Sequence, residues 1–329
     1  MENINLLDRL KKLSEKEISL SILCEELDLN AYEILALAAQ LRKEGINIST
    51  RKLDDDIYIF NRGEGEAKDE NNYEFTTDEN NEFKFVAISD TRFGSKSQQL
   101  SILNDIYSKA YEMGYMNVIH CGNITEGLYP TSISYNNDPN FLDDTLRQVD
   151  YIIKYYPNIE GIKTYFLTGY KDETHLKKNR INIGKRINDS RSDMIYLGHT
   201  SCNVKIDKGS MLIFNPKLGK TYTVSYRPQQ QIDSFRSEDK PDILLYGGLL
   251  QMEKFPHRNV NCISVPSVCA TTKEMNDKRY SNTIGAWYIT IKTNEKGFIE
   301  KIEAIDSVYY VTNKDDYLKP KVLKIRKEN

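Results

Sequence analysis

Apolar residues along this chain follow two different rhythms. In the first sixty positions they recur every three or four residues. LLDRLKKL has helical spacing, and Ser19 to Asp28 brings Ile22, Leu23 and Leu27 onto one side of a second short helix. Asn30 in LDLN can cap the next helix, AYEILALAAQLRKEG. There Ile34, Leu37, Ala38 and Leu41 share a face, and Gly45 marks the stop. INISTRKLDDDIYIF then reads as two short alternating segments around a polar turn at Asp54 to Asp56. From Phe83 onward the rhythm changes. Short apolar runs (FVAIS, NVIH, TYFL, DILLY) alternate with longer amphipathic stretches, QLSILNDIYSKAYEMG and FLDDTLRQVDYIIKYY. Runs that are apolar throughout read as strands buried on both faces. After about residue 194 the chain becomes strand-rich, through MIYLG, NVKID, MLIF, YTVSY and GAWYITIK.

Helix, helix, turn, helix and hairpin predict a winged helix-turn-helix over residues 1–60. Residues 61–82 are acidic and poor in apolar side chains, so a flexible linker is expected there. Residues 83–312 predict an α/β sandwich of two mixed sheets flanked by helices, and residues 313–329 a basic, solvated tail. Composition narrows the classes of function. The formal net charge of -3 gives no general attraction to nucleic acid, so any such binding needs a local basic patch. No apolar run is long enough for a bilayer, and MENINLLDRLKKLSEKE lacks the marks of a secretion signal. Five dispersed cysteines without a CxxC pair fit reduced thiols in a cytoplasm.

The candidate chemistry lies where strands run into polar or glycine loops. FKFVAISDTRFGS reaches Asp90, and VIHCGNITEG, TYFLTGYKDETH and DILLYGGLLQ repeat the pattern. Ligands in α/β folds sit on such carboxyl-end loops. The order and spacing of these four segments resemble a calcineurin-like metallophosphoesterase, closest to a subgroup of phages and clostridia. That resemblance implies a dinuclear Mn, Zn or Fe site and four motifs: Asp-x-His, Gly-Asp, Gly-Asn-His-Asp and Gly-His-x-His. Here they read Asp90-Thr91-Arg92, Gly122-Asn123, Gly169-Tyr170-Lys171-Asp172 and Gly247-Gly248-Leu249-Leu250. A further family histidine corresponds to Asn215 in IFNP.

These replacements bear directly on metal binding. Asparagine at 123 removes a bridging negative charge, Arg92 and Lys171 add positive charge, and Gly248 and Leu250 have no donor atoms. No catalytic residue and no cofactor are therefore expected, and the leading expectation is an inactive homologue that binds or scaffolds, in phage or mobile-element nucleic-acid processing. A residual hydrolase and a DNA-binding regulator are the alternatives. His175, three residues after Asp172, is the remaining candidate for a rescued metal ligand beside Asp90 and Asp172. Two readings of the cations stand: Arg92 and Lys171 pair with Asp90 and Asp172 as a plug, or they form an anion site. In the N-terminal module the candidate DNA contacts are Arg42, Lys43, Arg51 and Lys52. The third helix opens on Ala31, Tyr32 and Glu33, which fits a protein partner equally well.

Overall fold

The fold is described from a computed structural model. It describes residues 2–14, 18–43, 46, 48–53, 56–61, 72–128, 140–217, 223–311 and 316–325. The chain divides into two compact units, Met1–Glu70 and Asn71–Asn329.

In the first unit α1 (Glu2–Leu13), β1 (Ile18–Ser19), α2 (Leu20–Leu27) and α3 (Ala31–Lys43) precede the hairpin of β2 (Ile48–Leu53) and β3 (Asp56–Asn61). The three strands form an antiparallel sheet in the order β1-β3-β2. Ser19 caps α2 by accepting from the Ile22 N–H. Asn30 accepts from the N–H groups of Tyr32 and Glu33, while the Glu33 carboxylate accepts from Asn30 N–H. This reciprocal capping satisfies amides that a helix start leaves open. Leu10, Leu23, Ile34, Ala38, Leu41 and Ile59 close a core that belongs to this unit alone.

The second unit begins inside the segment read as a linker. Its elements are β4 (Asn72–Phe75), β5 (Glu82–Ile88), α4 (Leu100–Glu112), β6 (Asn117–His120), α5 (Thr145–Tyr155), β7 (Asn158–Ile159) and β8 (Lys163–Thr168). Then come α6 (Glu173–Asn179), α7 (Ile183–Ser190), β9 (Met194–His199), β10 (Ser201–Ile206), β11 (Gly209–Phe214), α8 (Tyr226–Asp233), β12 (Ile243–Tyr246) and β13 (Glu253–His257). The last are β14 (Val260–Ser264), α9 (Lys273–Asp277), β15 (Ile284–Thr293), β16 (Ile299–Tyr309) and β17 (Lys324–Ile325).

Two six-stranded mixed sheets form the body, in the orders β16-β15-β5-β6-β8-β9 and β13-β14-β12-β11-β10-β4. Between them Phe85, Ala87, Ile119 and Leu167 of the first sheet meet Val204, Ile213, Leu245 and Ile263 of the second. Alternate residues of the first sheet, Val86, Ile88, Val118 and Phe166, turn outward under Ile106 of α4, Ile152 of α5 and Ile187 of α7. Ile232 of α8 covers Leu212, Leu244 and Cys262 on the far side of the second sheet. The strands are thus apolar on both faces, as their unbroken sequence runs require. The five cysteines are free thiols: Cys24 in the first unit is half-buried, and Cys121, Cys202, Cys262 and Cys269 in the second are buried. No helix among the described residues is long and apolar enough to cross a membrane.

Three expectations are corrected. Residues 62–71 of the expected linker lie outside the described residues, but Asn72–Phe75 form a strand parallel to β10. Phe75 is buried and stacks on Phe83; two aromatics in an otherwise acidic stretch suffice to dock it. Of the YTVSY segment Tyr222 lies outside the described residues, and Thr223 to Tyr226 do not form the expected strand. Thr223 to Ser225 turn and Tyr226 opens α8, where Pro228 sits in the first turn that tolerates it. In the expected solvated tail, Asp316 accepts from the Ser101 N–H and Lys324–Ile325 pair with β7, while residues 312–315 and 326–329 lie outside the described residues.

Candidate functional site

Four strands deliver the site. β5 ends at Ile88 before Asp90, β6 at His120 before Asn123, β8 at Thr168 before Tyr170 and Lys171, and β12 at Tyr246 before Gly248 and Leu250. Asp90, Arg92, Asn123 and Leu250 all carry positive φ, between 48 and 63°. Side chains avoid that region because Cβ crowds the carbonyl, and such strain gathers at functional sites. The turns are held by backbone pairs, Asp90 N–H to Gly122 carbonyl at 3.0 Å and Arg92 N–H to Asn123 carbonyl at 3.2 Å. His120 ties the same two loops. Its Nδ1 accepts from Gly122 N–H, and its Nε2 lies 2.9 Å from the Thr91 hydroxyl.

Asp90 is fully buried and its carboxylate is crowded with donors. Arg92 gives Nε and Nη2 to Oδ1 at 3.2 and 3.1 Å, and Asn123 adds its amide nitrogen at 3.1 Å. The Ser89 hydroxyl donates to Oδ2 at 2.9 Å. Arg92 also lies 3.6 Å from Glu126, whose other oxygen accepts from Lys171 at 2.6 Å. Lys171 reaches on to Glu274 of α9 at 3.0 Å. The result is a chain of alternating charge, Asp90, Arg92, Glu126, Lys171 and Glu274, buried at Asp90 and open to solvent at Glu274. Burial alone would raise the Glu274 carboxyl, but Lys171 and Lys278 outweigh it and bring the group down to about 2.

The pairing of Lys171 with Asp172 does not form. Asp172 faces away, into the protein, and accepts from the N–H groups of Ile124, Thr125 and Gly169 and from the Thr125 hydroxyl. Burial pushes it up to about 6 against the pull of those donors. His175 lies in the same buried patch, with Nε2 at 3.0 Å from the Thr125 hydroxyl and Nδ1 at 2.9 Å from the Thr145 hydroxyl. Both ring nitrogens are engaged, and burial lowers it to about 4. Asp172 and His175 therefore brace the loop after β6 and are not brought together with Asp90. Asn215 is fully buried, donates to the Cys121 carbonyl, and leaves Oδ1 without a hydrogen-bond partner among the described residues. Its amide fits because Gly247 has no Cβ, which would come within 2.7 Å of the Asn215 Nδ2.

Leu250 turns into an apolar cluster with Cys269, Met275 and Tyr280. Around it opens a cleft of ≈ 270 Å³ whose walls include Arg92, Asn123, Tyr170, Lys171 and Gly248. Sequence reasoning missed Glu126, four residues beyond Gly122 in an irregular loop, and Glu274, which arrives from α9 about a hundred residues later. Only the surplus of cations over paired acids at the four motifs hinted at either. Among the described residues no group of three or more His, Cys, Asp or Glu is placed to hold a metal ion. Arg42 and Lys43 end α3, and Arg51 and Lys52 lie in β2, but their side chains lie outside the described residues.

No family model matches the chain, and no curated protein matches it. Among solved structures it is similar to a novel archaeal phosphodiesterase at 14% identity, over 69% of this chain and 99% of that one, with a TM-score of 0.39. It is similar to wild-type Vps29 complexed with zinc from Entamoeba histolytica at 12% identity, over 68% of this chain and 98% of that one, TM-score 0.34. A putative 5'-nucleotidase from Staphylococcus aureus matches at 11% identity over 72% of this chain and 57% of its own, TM-score 0.38.

Proposed function

We propose that this chain is a calcineurin-like phosphoesterase homologue whose hydrolytic site has become a metal-free binding site, so that the protein acts by holding a partner or ligand. The convergence of four strand-end loops between two mixed sheets supports the family part of the reading. One observation carries the functional part. The Asp90 carboxylate, the family ligand that remains, receives three N–H bonds from Arg92 and Asn123. A carboxylate binds a dication with lone pairs, and here those lone pairs are taken by fixed donors. Arg92 and Lys171 further place cations where the family's ions would need anions, and Gly248 and Leu250 offer no donor. This donor set does not fit a pair of Mn, Zn or Fe ions.

The test is metal analysis of the purified chain together with turnover of bis(p-nitrophenyl) phosphate in added Mn. The expected outcome is substoichiometric metal and no turnover above buffer. Stoichiometric metal with turnover would overturn the reading.

The N-terminal unit, with its helix-strand-helix-helix-hairpin order, is read here as a winged helix that docks protein in preference to DNA. Its α3 exposes Tyr32, Glu33, Ala36, Ala39 and Gln40, a face without basic residues at its start. Base-reading helices carry polar and basic side chains there. Under this reading, affinity for duplex DNA stays weak in low salt and is unchanged when Arg42, Lys43, Arg51 and Lys52 become alanine. Strong salt-dependent binding that this variant loses would favour DNA.

A further inference from the structure

We propose that the cleft is an anion site currently occupied by the protein's own Glu274, and that it takes a small organic anion carrying a flat apolar body. The inference rests on the metal-free reading above and assigns the ligand and its control. Four basic side chains line the cleft, Arg92, Lys171, Lys278 and Arg279, against one acidic one, Glu274. Arg92 is already committed to buried Asp90 and Glu126. The Glu274 carboxylate lies between the two lysines, 3.0 Å from Lys171 and 2.6 Å from Lys278. It sits at the mouth, with its side chain 41% exposed, so solvent reaches the pair that it bridges.

Arg279 completes the seat. It is exposed, lines the same cleft and makes no ion pair among the described residues. It also holds a φ of 53°, a conformation that costs an arginine energy and fixes where the chain leaves α9. Tyr170, Tyr280 and Leu249 line the cleft beside these charges. Tyr170 is 39% exposed, and the Lys217 ammonium lies 4.9 Å from its ring centroid. A head group of one or two negative charges can replace the Glu274 carboxylate on Lys171 and Lys278 and also engage Arg279. A planar body can lie against the tyrosine rings. Because Glu274 competes from within the chain, it sets the affinity: the ligand must displace a tethered carboxylate before it binds.

The experiment titrates the full-length chain with phenyl phosphate, benzoate and inorganic phosphate by calorimetry, in protein whose metal content is measured from the same preparation. Glu274→Gln is expected to bind phenyl phosphate at least tenfold tighter than the parent, with inorganic phosphate gaining less because it lacks the ring. Adding Arg279→Ala to that variant reverses the gain. Benzoate separates a carboxylate head from a phosphate head. Glu274→Ala, checked for an unchanged melting transition, serves as the second variant. Unchanged or weaker binding by both Glu274 variants of metal-free protein overturns this inference and leaves the metal-free reading standing. Stoichiometric metal in the preparation overturns both.

Discussion

Glu126 holds two cations with one buried carboxylate, Lys171 at 2.6 Å and Arg92 at 3.6 Å. Removing one partner of a buried pair leaves a desolvated charge and costs about 3 kcal/mol. Glu126→Ala is therefore expected to lower the urea midpoint by an equivalent amount with an unchanged m-value. His175 gives a pH prediction. The fold keeps it neutral, with its pKa lowered to about 4 by burial, while the unfolded chain takes up a proton near pH 6.5. Its contribution is complete above pH 6.5 and is lost as pH falls toward 4, at roughly 1.4 kcal/mol per unit. Thr125 and Thr145 touch the ring, and Asp144 and Lys178 are the charges that bear on it. In His175→Gln the acid limb of the stability curve should be shallower over that window than in the parent. At this scale the sequence located Asp90, Arg92, Asn123 and Lys171 in the site and offered the pair of Arg92 with Asp90, but not the acids that answer Lys171. Which acid answers a cation depends on which distant loop folds against it, and neither residue type nor spacing encodes that for Glu126 or Glu274.

Strand β4 is the element that local composition hid. It has four residues in an acidic stretch, yet Phe75 stacks on Phe83, and Tyr73 and Phe75 meet Tyr165 edge-on. Phe75→Ala removes a buried ring and is expected to cost about 3 kcal/mol. Hydrogen exchange should then show the amides of residues 72–75 losing protection before those of β10. The strands β5, β6, β8 and β12, two of them no longer than β4, were legible because a strand buried on both faces carries an unbroken apolar run. The YTVSY segment misled for the opposite reason: β-branched and aromatic residues favour a strand only when they have a sheet to pair with. Here Pro228 and the packing of Ile232 under the second sheet decide for a helix.

At the scale of the molecule, each unit closes its own core, ten buried side chains among the described residues of the first and larger clusters in the second. A chain of residues 71–329 should fold alone, with a single cooperative urea transition of its own. The composition shift near residue 61 announced the division, and the structure moves the boundary to about residue 70 because β4 belongs to the sandwich. The distribution of thiols follows this division and gives it a use. One cysteine lies in the first unit and four in the second, where burial raises Cys269 and Cys202 to about 12 and Cys262 to about 11. A protonated, sequestered thiol does not react with an alkylating reagent until its surroundings open. The four buried thiols are thus a clock for the second unit, and Cys24 is an internal reference in the same chain. Alkylation followed by mass spectrometry should modify half-buried Cys24 first, from the folded state, and the other four together, reading the opening rate of the second unit without any introduced label.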